Sequence, residues 1–114
     1  MREIKFKIWD IKNKEMGKIF TLKDAIQSDA FEVNVTDIFL QFTGLLDKNG
    51  KEIFEGDIVK VKMYSGKFEN YKVIWDKKEA CWDSINKKRD NWISPTVWKK
   101  SKVIGNIYEG IKIY

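Results

Sequence analysis

The chain has 114 residues, with 22 Lys and Arg residues against 17 Asp and Glu residues, and its formal net charge is +5 at pH 7. This length predicts one domain that can bury a core of its own. Hydrophobic residues make up 43% and charged residues 34% of the chain, which indicates a soluble globular protein and argues against disorder. The sequence contains no histidine and one cysteine, which excludes Ser-His-Asp triads, histidine-ligated zinc and disulfides within the chain.

In the N-terminal half, apolar residues recur at every second position, as in strands with one buried face. Strands are predicted over residues 3–9, 18–22, 31–35 and 39–43. Thr21 is predicted to cap a short helix over residues 22–28, with Asp24 in the capping-box position. Asn49-Gly50 then predicts a type I′ hairpin turn, because both residues tolerate positive φ.

The C-terminal half repeats the alternation, with Gly-containing turns between its strands. Strands are predicted over residues 58–63, 71–75, 81–85 and 103–108. Lys60 and Lys62 are placed on the outer face of the first of these strands. Residues 86–102 are polar and basic and contain the single proline, Pro95, which predicts a long loop or a poorly paired edge. The predicted core consists of Ile4, Phe6, Ile8, Phe42, Ile53, Ile58, Val61, Val73, Trp75, Ile104 and Ile107.

Short strands separated by Gly and Asn turns are typical of all-β barrels and sandwiches. Three segments add a family resemblance: IKFKIWD at residues 4–10, QFTGLLDKNGKEIFEGDIV at residues 41–59 and VIGNIYE at residues 103–109. In this order they resemble the YopX family of small phage and prophage proteins, and the likeness covers the whole chain. The central segment is the longest and most specific of the three.

The resemblance implies a phage or prophage origin, a mostly β fold with a barrel, and self-association. It brings no function and no catalytic residues with it. Residues 56–61, GDIVKV, also resemble the opening of SH3-like barrels, including those of ribosomal and transcription-elongation proteins. The expected fold is mostly β in a single domain over residues 1–114. A strand-rich segment over residues 1–51 would pack on an SH3-like barrel over 52–110, with at most one or two short helices.

Residues 75–102 interleave cations with tryptophans. Residues 51–114 carry 14 basic and nine acidic side chains, whereas residues 1–50 carry eight of each. Cations neutralise phosphates and flat rings stack on unpaired bases, so this segment is a candidate interface for nucleic acid or another partner. The candidate contact residues are Lys77, Lys78, Lys87, Lys88, Arg89, Trp92, Trp98, Lys99 and Lys100.

A purely structural interpretation of the same segment stays open. Trp75 and Trp82 alternate as strand residues and are expected to be buried. Lysines in turns can be solvated charges that protect strand edges. Trp92 and Trp98 flank the proline and can pack under the loop or against a second subunit.

Glu52, Glu55 and Asp57 are close in sequence and are the candidate set for a metal or acid–base site. Turn chemistry explains them better, because Gly56 permits backbone angles that other residues avoid and Asp57 can cap its own turn. The upstream Asp and strand-borne Asp/Glu-x-Lys of a metal nuclease are not matched in a suitable context. No metal site and no cofactor is therefore expected.

The favoured function is that of a non-enzymatic phage accessory protein that binds host or phage macromolecules, as a homo-oligomer. The alternatives are a nucleic-acid-binding module and, least favoured, a carboxylate-only metal-dependent enzyme. The N-terminus lacks the apolar region of a signal peptide, and no segment is long and apolar enough for a membrane span. Cys81 is interpreted as a small buried hydrophobe, and the host cytoplasm is the expected location, without membrane contact.

Overall fold

The computed structural model describes residues 3–21, 23–24 and 37–111. These residues form ten strands: β1 Lys5–Asp10, β2 Glu15–Met16, β3 Phe20–Thr21, β4 Ile38–Leu46, β5 Glu52–Phe54, β6 Asp57–Lys62, β7 Phe68–Asp76, β8 Cys81–Asn86, β9 Asn91–Ile93 and β10 Lys102–Asn106. Two 3-10 helices, Pro95–Lys100 and Ile107–Glu109, follow β9 and β10, and residues 23–24 are also helical. The predicted fold class is confirmed, because the described residues are mostly β, their curled sheets form a half-barrel, and none of the helices described reaches seven residues.

The first sheet has the strand order β2-β1-β4-β5, and β3 also pairs with β1. On its buried face, the rings of Phe42 and Phe54 lie 5.5 Å apart. The Nζ atom of Lys5 lies 5.1 Å from the centre of the Phe42 ring. The Nζ atom of Lys7 lies 4.3 Å from the centre of the Phe54 ring. Lysine stems thus cover the aromatic pair, an arrangement in which the methylene groups pack while the charge stays near water.

The core assignment predicted for β1 is consequently wrong, because its apolar residues lie on the opposite face from the phenylalanine pair. Phe6 stacks on Phe20 at 5.8 Å and meets Phe39 edge-on at 6.3 Å. Ile8 lies directly opposite Phe39 on β4, and Ile4 is 47% exposed. Alternation identifies this strand, but it does not tell which face is buried when lysine stems can cover an aromatic ring.

The second sheet has the order β10-β6-β7-β8-β9. The core cluster inside its curve consists of Ile53, Val59, Val61, Tyr71, Val73, Trp98 and Val103. Of the predicted core, five residues are buried: Phe42, Ile53, Ile58, Val61 and Val73. Ile104 and Ile107 are half-buried, whereas Trp75 is exposed, which is a second correction to the predicted core. Strand β5 pairs with β4 in the first sheet and still contributes Ile53 to this core, so the two sheets share it.

Residues 86–102 are more regular than the predicted loop, whereas the predicted alternative of an edge agrees with β9, a three-residue strand at the edge of the second sheet. Strand β9 pairs with β8, and the 3-10 helix that follows has Pro95 in its first turn. Ser94 caps this helix by accepting the N–H of Thr96. Proline and a serine cap together explain the helix start, since proline lacks the N–H that a first turn leaves unused.

The turn between β4 and β5 is present, but it is not the predicted type I′ turn. Gly50 has φ +79°, whereas Asn49 is not among the positive-φ residues of the described chain. The carboxylate of Asp47 accepts the N–H groups of Asn49 at 2.8 Å and Lys51 at 2.9 Å. These bonds satisfy the turn's donors, so the turn requires positive φ only at Gly50.

The predicted capping box at Thr21 is confirmed. Thr21 Oγ1 accepts the N–H of Asp24 at 3.1 Å, and the Asp24 carboxylate accepts the N–H of Thr21 at 3.0 Å. The remainder of the predicted helix over 22–28 and the predicted strand over 31–35 lie outside the described residues.

Candidate functional site

The cationic residues predicted as an interface do not form one surface. The turn between β7 and β8 carries Lys77 and Lys78, whereas the turn between β8 and β9 carries Lys87, Lys88 and Arg89. Strand β8 separates these turns by six residues, or about 20 Å. The basic segment is therefore divided between the two ends of the second sheet.

The predicted tryptophan contacts also separate. Trp98 is fully buried, and its indole N–H donates to Ser84 Oγ at 3.0 Å, so it belongs to the core. Trp92 is 44% exposed and lies opposite Ile85 of β8. Lys99 and Lys100 are exposed at the end of the 3-10 helix that buries Trp98.

Part of the predicted segment joins residues from two other strands at an open groove of about 640 Å³. Lys88 and Arg89 lie on one side of this groove, and Lys60 of β6 and Phe68 of β7 lie on the other. The lining is completed by Glu69, Asn70 and Asn86. We call these seven residues the basic groove.

The pairing of β6 with β10 and β7 brings several lysines together beside the basic groove. Lys60 lies directly opposite Lys102 of β10, and Lys62, two residues further along β6, lies opposite Phe68. Like charges in directly opposed positions repel each other and are destabilising. The Nζ atom of Lys60 lies 4.9 Å from the centre of the Phe68 ring, and Phe68 is 54% exposed. The groove thus combines lysines that have no ion pair among the described residues with an accessible aromatic side chain.

Arg89 is held at the edge of the groove by two contacts. Its guanidinium pairs with Glu69 at 2.6 Å, and its N–H donates to Asn86 Oδ1 at 3.2 Å. Asn86 Nδ2 in turn donates to the carbonyl of Asn70 at 3.1 Å. Glu69 is the single acidic residue of the lining, so its pairing with Arg89 leaves the charges of Lys60 and Lys88 unopposed there.

Sequence patterns point to only part of this groove. The alternation of Lys60 and Lys62 correctly places both lysines on an exposed face. The proximity of Lys102 and Phe68 follows from the pairing of β10 and β7 with β6, which no local pattern specifies. The sequence shows that β6 carries outward-facing lysines, but it does not show which strands lie beside β6.

The three candidate carboxylates do not come together as a metal site. Glu52 pairs with a lysine of β1. Asp57 is buried and accepts the N–H of Phe54 at 2.8 Å and the Nδ2 of Asn106 at 3.0 Å. Burial raises the pKa of Asp57, although both hydrogen bonds act in the opposite direction. Within the described ranges, no three Cys, Asp or Glu side chains are grouped closely enough to hold a metal ion.

Hydrogen bonds join the central segment, residues 41–59, to the C-terminal segment, residues 103–109. Gly56 has φ +82°, donates to the carbonyl of Val73 at 2.9 Å and accepts the N–H of Ile107 at 2.8 Å. Asn106 Nδ2 donates to the carbonyl of Glu55 at 3.1 Å. These contacts support the turn-chemistry interpretation of the Glu55-Gly56-Asp57 sequence.

Cys81 is exposed, which corrects its interpretation as a buried hydrophobe. Partial desolvation raises the pKa of the thiol, and the negative charges of Asp76, Asp83 and Glu79 raise it further. The thiolate that a nucleophile needs is therefore disfavoured at neutral pH.

The fold and the groove define a small, mostly β protein with an exposed basic surface. Residues 4–112 match the YopX protein family, and the chain belongs to this family. A crystal structure of protein EF1440 from Enterococcus faecalis is similar in fold, with 21% identity, a TM-score of 0.60 and 96% of each chain covered. No curated protein matches the chain. In the described chain, no helix has the length and hydropathy that a membrane span requires.

Proposed function

We propose that this YopX protein is a non-enzymatic, phage-type accessory protein of the host cytoplasm that binds nucleic acid through the basic groove. The observation that carries the proposal is the direct opposition of Lys60 and Lys102 beside a groove with one carboxylate, Glu69. Arg89 already occupies that carboxylate. An anionic partner would relieve the repulsion between the two lysines and release its own counterions.

The exposed ring of Phe68 favours nucleic acid over a simple polyanion. Flat side chains beside cations are the components of sequence-tolerant binding to single strands, because every base has a face that can stack. Lys60 and Lys88 belong to the lining, and Lys62 of β6 and Lys102 of β10 extend the charge beside it. No cofactor is needed for this mode of binding.

The test is a fluorescence anisotropy titration of labelled single- and double-stranded DNA and RNA at several salt concentrations. The native chain is expected to bind single strands more tightly than duplexes. Lys60→Gln and Lys102→Gln are each expected to reduce the slope of log K against log salt by about one, the loss of one phosphate contact. Phe68→Ala is expected to weaken binding with little change in that slope.

Lys77→Gln and Lys78→Gln are the matched controls, since they remove equal charge at the far end of β8. They should leave affinity close to that of the native chain. The proposal is wrong if the native chain binds no oligonucleotide near physiological salt. Equal losses in the Lys60 and Lys77 variants would instead mean that only net charge attracts the nucleic acid.

Self-association is the second part of the proposal, and the family resemblance supports it. Residues of the first sheet also form an apolar face that points away from the phenylalanine pair: Phe6, Ile8, Phe20 and Phe39. Phe39 is 44% exposed, and apolar surface of this kind commonly marks an interaction site. A second copy of the chain is the partner we propose for it, with host or phage proteins as the competing candidates.

A further inference from the structure

Trp75 and Trp82 contact each other edge to face at the end of the second sheet away from the basic groove. They are directly opposed partners on β7 and β8, with ring centres 5.2 Å apart and planes at 74°. Together with Gln41 and Glu55 they line a pocket of about 390 Å³, which we call the tryptophan pocket. This volume lies within the range of small-ligand sites.

One wall of the tryptophan pocket is left open to solvent. Trp75 is 43% exposed, although Tyr71 and Val73, which alternate with it on the same face of β7, are completely buried. Trp82 packs against the core cluster, and its indole N–H has no hydrogen-bond acceptor in the described part of the chain. Packing therefore fixes Trp82, whereas Trp75 presents a large aromatic surface that the described residues do not cover.

The charge of the pocket is negative. Glu55 is the single ionisable residue of the lining, and its carboxylate has no hydrogen bond or ion pair among the described residues. Asp76 and Asp83 follow the two tryptophans in sequence, and Lys77 and Lys78 are exposed on the turn beyond them. A cation that entered the pocket would meet the Glu55 carboxylate and the exposed ring of Trp75.

We propose that the tryptophan pocket binds a methylated ammonium group, such as that of trimethyllysine or choline. The face of an indole ring attracts a cation, and the exposed ring of Trp75 lies in the same pocket as the Glu55 carboxylate. A methylated ammonium needs no hydrogen-bond acceptors, whereas a primary ammonium would have three N–H groups to satisfy with one carboxylate. Its methyl groups can also bury apolar surface against the rings.

The experiment is a titration of the full chain with tetramethylammonium chloride, followed by the indole N–H resonances of its five tryptophans. The Trp75 and Trp82 resonances are expected to shift and saturate, and sodium chloride at equal concentration is expected to leave them in place. Choline is then compared with 3,3-dimethyl-1-butanol, its neutral isostere. Equal affinity for the neutral compound would overturn the proposal, because the charge would then contribute nothing.

Two variants test the proposal independently. Trp75→Ala is expected to weaken tetramethylammonium binding by about tenfold, and Glu55→Gln, which keeps the side-chain shape, by several-fold. Trp92→Ala is the matched control, since Trp92 is 44% exposed and lies outside the pocket. The proposal would be overturned if Glu55→Gln and Trp75→Ala each bound tetramethylammonium with native affinity.

The source of the ligand is tested by comparing the affinity for choline with that for an acetylated trimethyllysine amide. Tighter binding of choline would indicate a lipid or free headgroup, and tighter binding of the amide a modified protein. Neither result depends on the basic groove.

Discussion

At the scale of single residues, Asp47 shows how one carboxylate joins distant parts of this chain. One oxygen accepts the N–H groups of Asn49 and Lys51 in its own turn, and the other accepts the N–H of Val103 at 2.9 Å, 56 residues away. Burial raises the pKa of Asp47, but these three hydrogen bonds outweigh it and hold the pKa below its usual value. The charged form is therefore the one that stabilises the fold.

Asp47→Ala is expected to lower the free energy of unfolding by about 2–4 kcal/mol at pH 7, because the buried N–H of Val103 and two N–H groups of the turn lose a charged acceptor. The native pKa is lowered, so the contribution of Asp47 is present above the pKa of the unfolded chain and is lost as pH falls through the native value. Urea denaturation from pH 7 down to about pH 2 measures both effects, since the loss lies below the usual Asp pKa of 3.8. The alanine variant should lose less stability on acidification than the native chain.

Asp47→Asn is the control, since it keeps the shape and one acceptor while removing the charge. An unchanged urea midpoint in both variants would contradict the proposed role. The native pH profile also contains an opposing contribution from Asp57, because burial raises its pKa. Its stabilising contribution is present below the pKa of the unfolded chain and is lost as pH rises through the native value. Comparing the variants with the native chain isolates Asp47 from it.

The turn at Asp47 is predictable from the sequence, whereas its hydrogen bond to Val103 is not. The Asp47-Lys48-Asn49-Gly50 sequence predicts a turn, and the turn is there. The predicted type was wrong because the propensities of Asn49 and Gly50 do not include the side chain of Asp47 as an acceptor. The bond to Val103 depends on where β10 lies, and this position is determined by packing across the whole chain.

At the scale of elements, the 3-10 helix Pro95–Lys100 closes the core of the second sheet. It buries Trp98 completely, and the Trp98 indole N–H donates to Ser84 Oγ, which itself donates to the carbonyl of Ile93 at 2.6 Å. Ser101 Oγ donates to the carbonyl of Val97 at 2.8 Å and so closes the end of the helix. This short helix thus acts as a core element.

Trp98→Ala is expected to destabilise the fold by about 3–5 kcal/mol, because it opens a cavity in the core. Trp98→Phe should cost about 1–3 kcal/mol, since it retains an aromatic ring and loses the bond to Ser84. Urea denaturation followed by circular dichroism gives both values. Trp92→Ala provides the comparison, because Trp92 is substantially exposed and should cost less than about 1 kcal/mol. Similar losses at Trp92 and Trp98 would mean that the helix is not part of the core.

The strands were predictable and this helix was not, for a physical reason. Alternation with a period of two persists through β6, β7 and β8, so their existence and much of their inward face could be inferred. A 3-10 helix of six residues has no sequence period long enough to detect. The polar composition of residues 86–102 also concealed Trp98, whose neighbours Lys99 and Lys100 are exposed.

In the molecule as a whole, the two candidate surfaces lie at opposite ends of strand β8. The basic groove lies where β8 ends, and the tryptophan pocket lies where β8 begins. Contiguity in sequence suggested one basic, tryptophan-rich face, but a hairpin sends successive turns to opposite ends of a sheet. Composition indicated that cations and aromatic side chains are abundant in this part of the chain, whereas their arrangement required the pairing of β6 with β7 and β10.

The apolar face of the first sheet carries the last prediction, which concerns assembly. Phe39 is exposed between Phe6 and Ile8, and a second copy of the chain would remove this surface from water. Light scattering is expected to give a mass above that of one chain at micromolar concentration. Phe39→Lys should shift the protein to monomer, because it places a charge within the contact.

Tyr64→Lys is the matched control, since Tyr64 is fully exposed and lies on a turn of the second sheet. It should leave the mass unchanged. A native chain that remains monomeric throughout the micromolar range would contradict self-association. An oligomer that both variants leave intact would place the contact elsewhere.

Because Phe39 lies on the first sheet, its substitution should not change the salt dependence of nucleic-acid binding unless the groove acts only in the assembled form. Measuring both properties on the same variant therefore tests whether assembly and binding are independent.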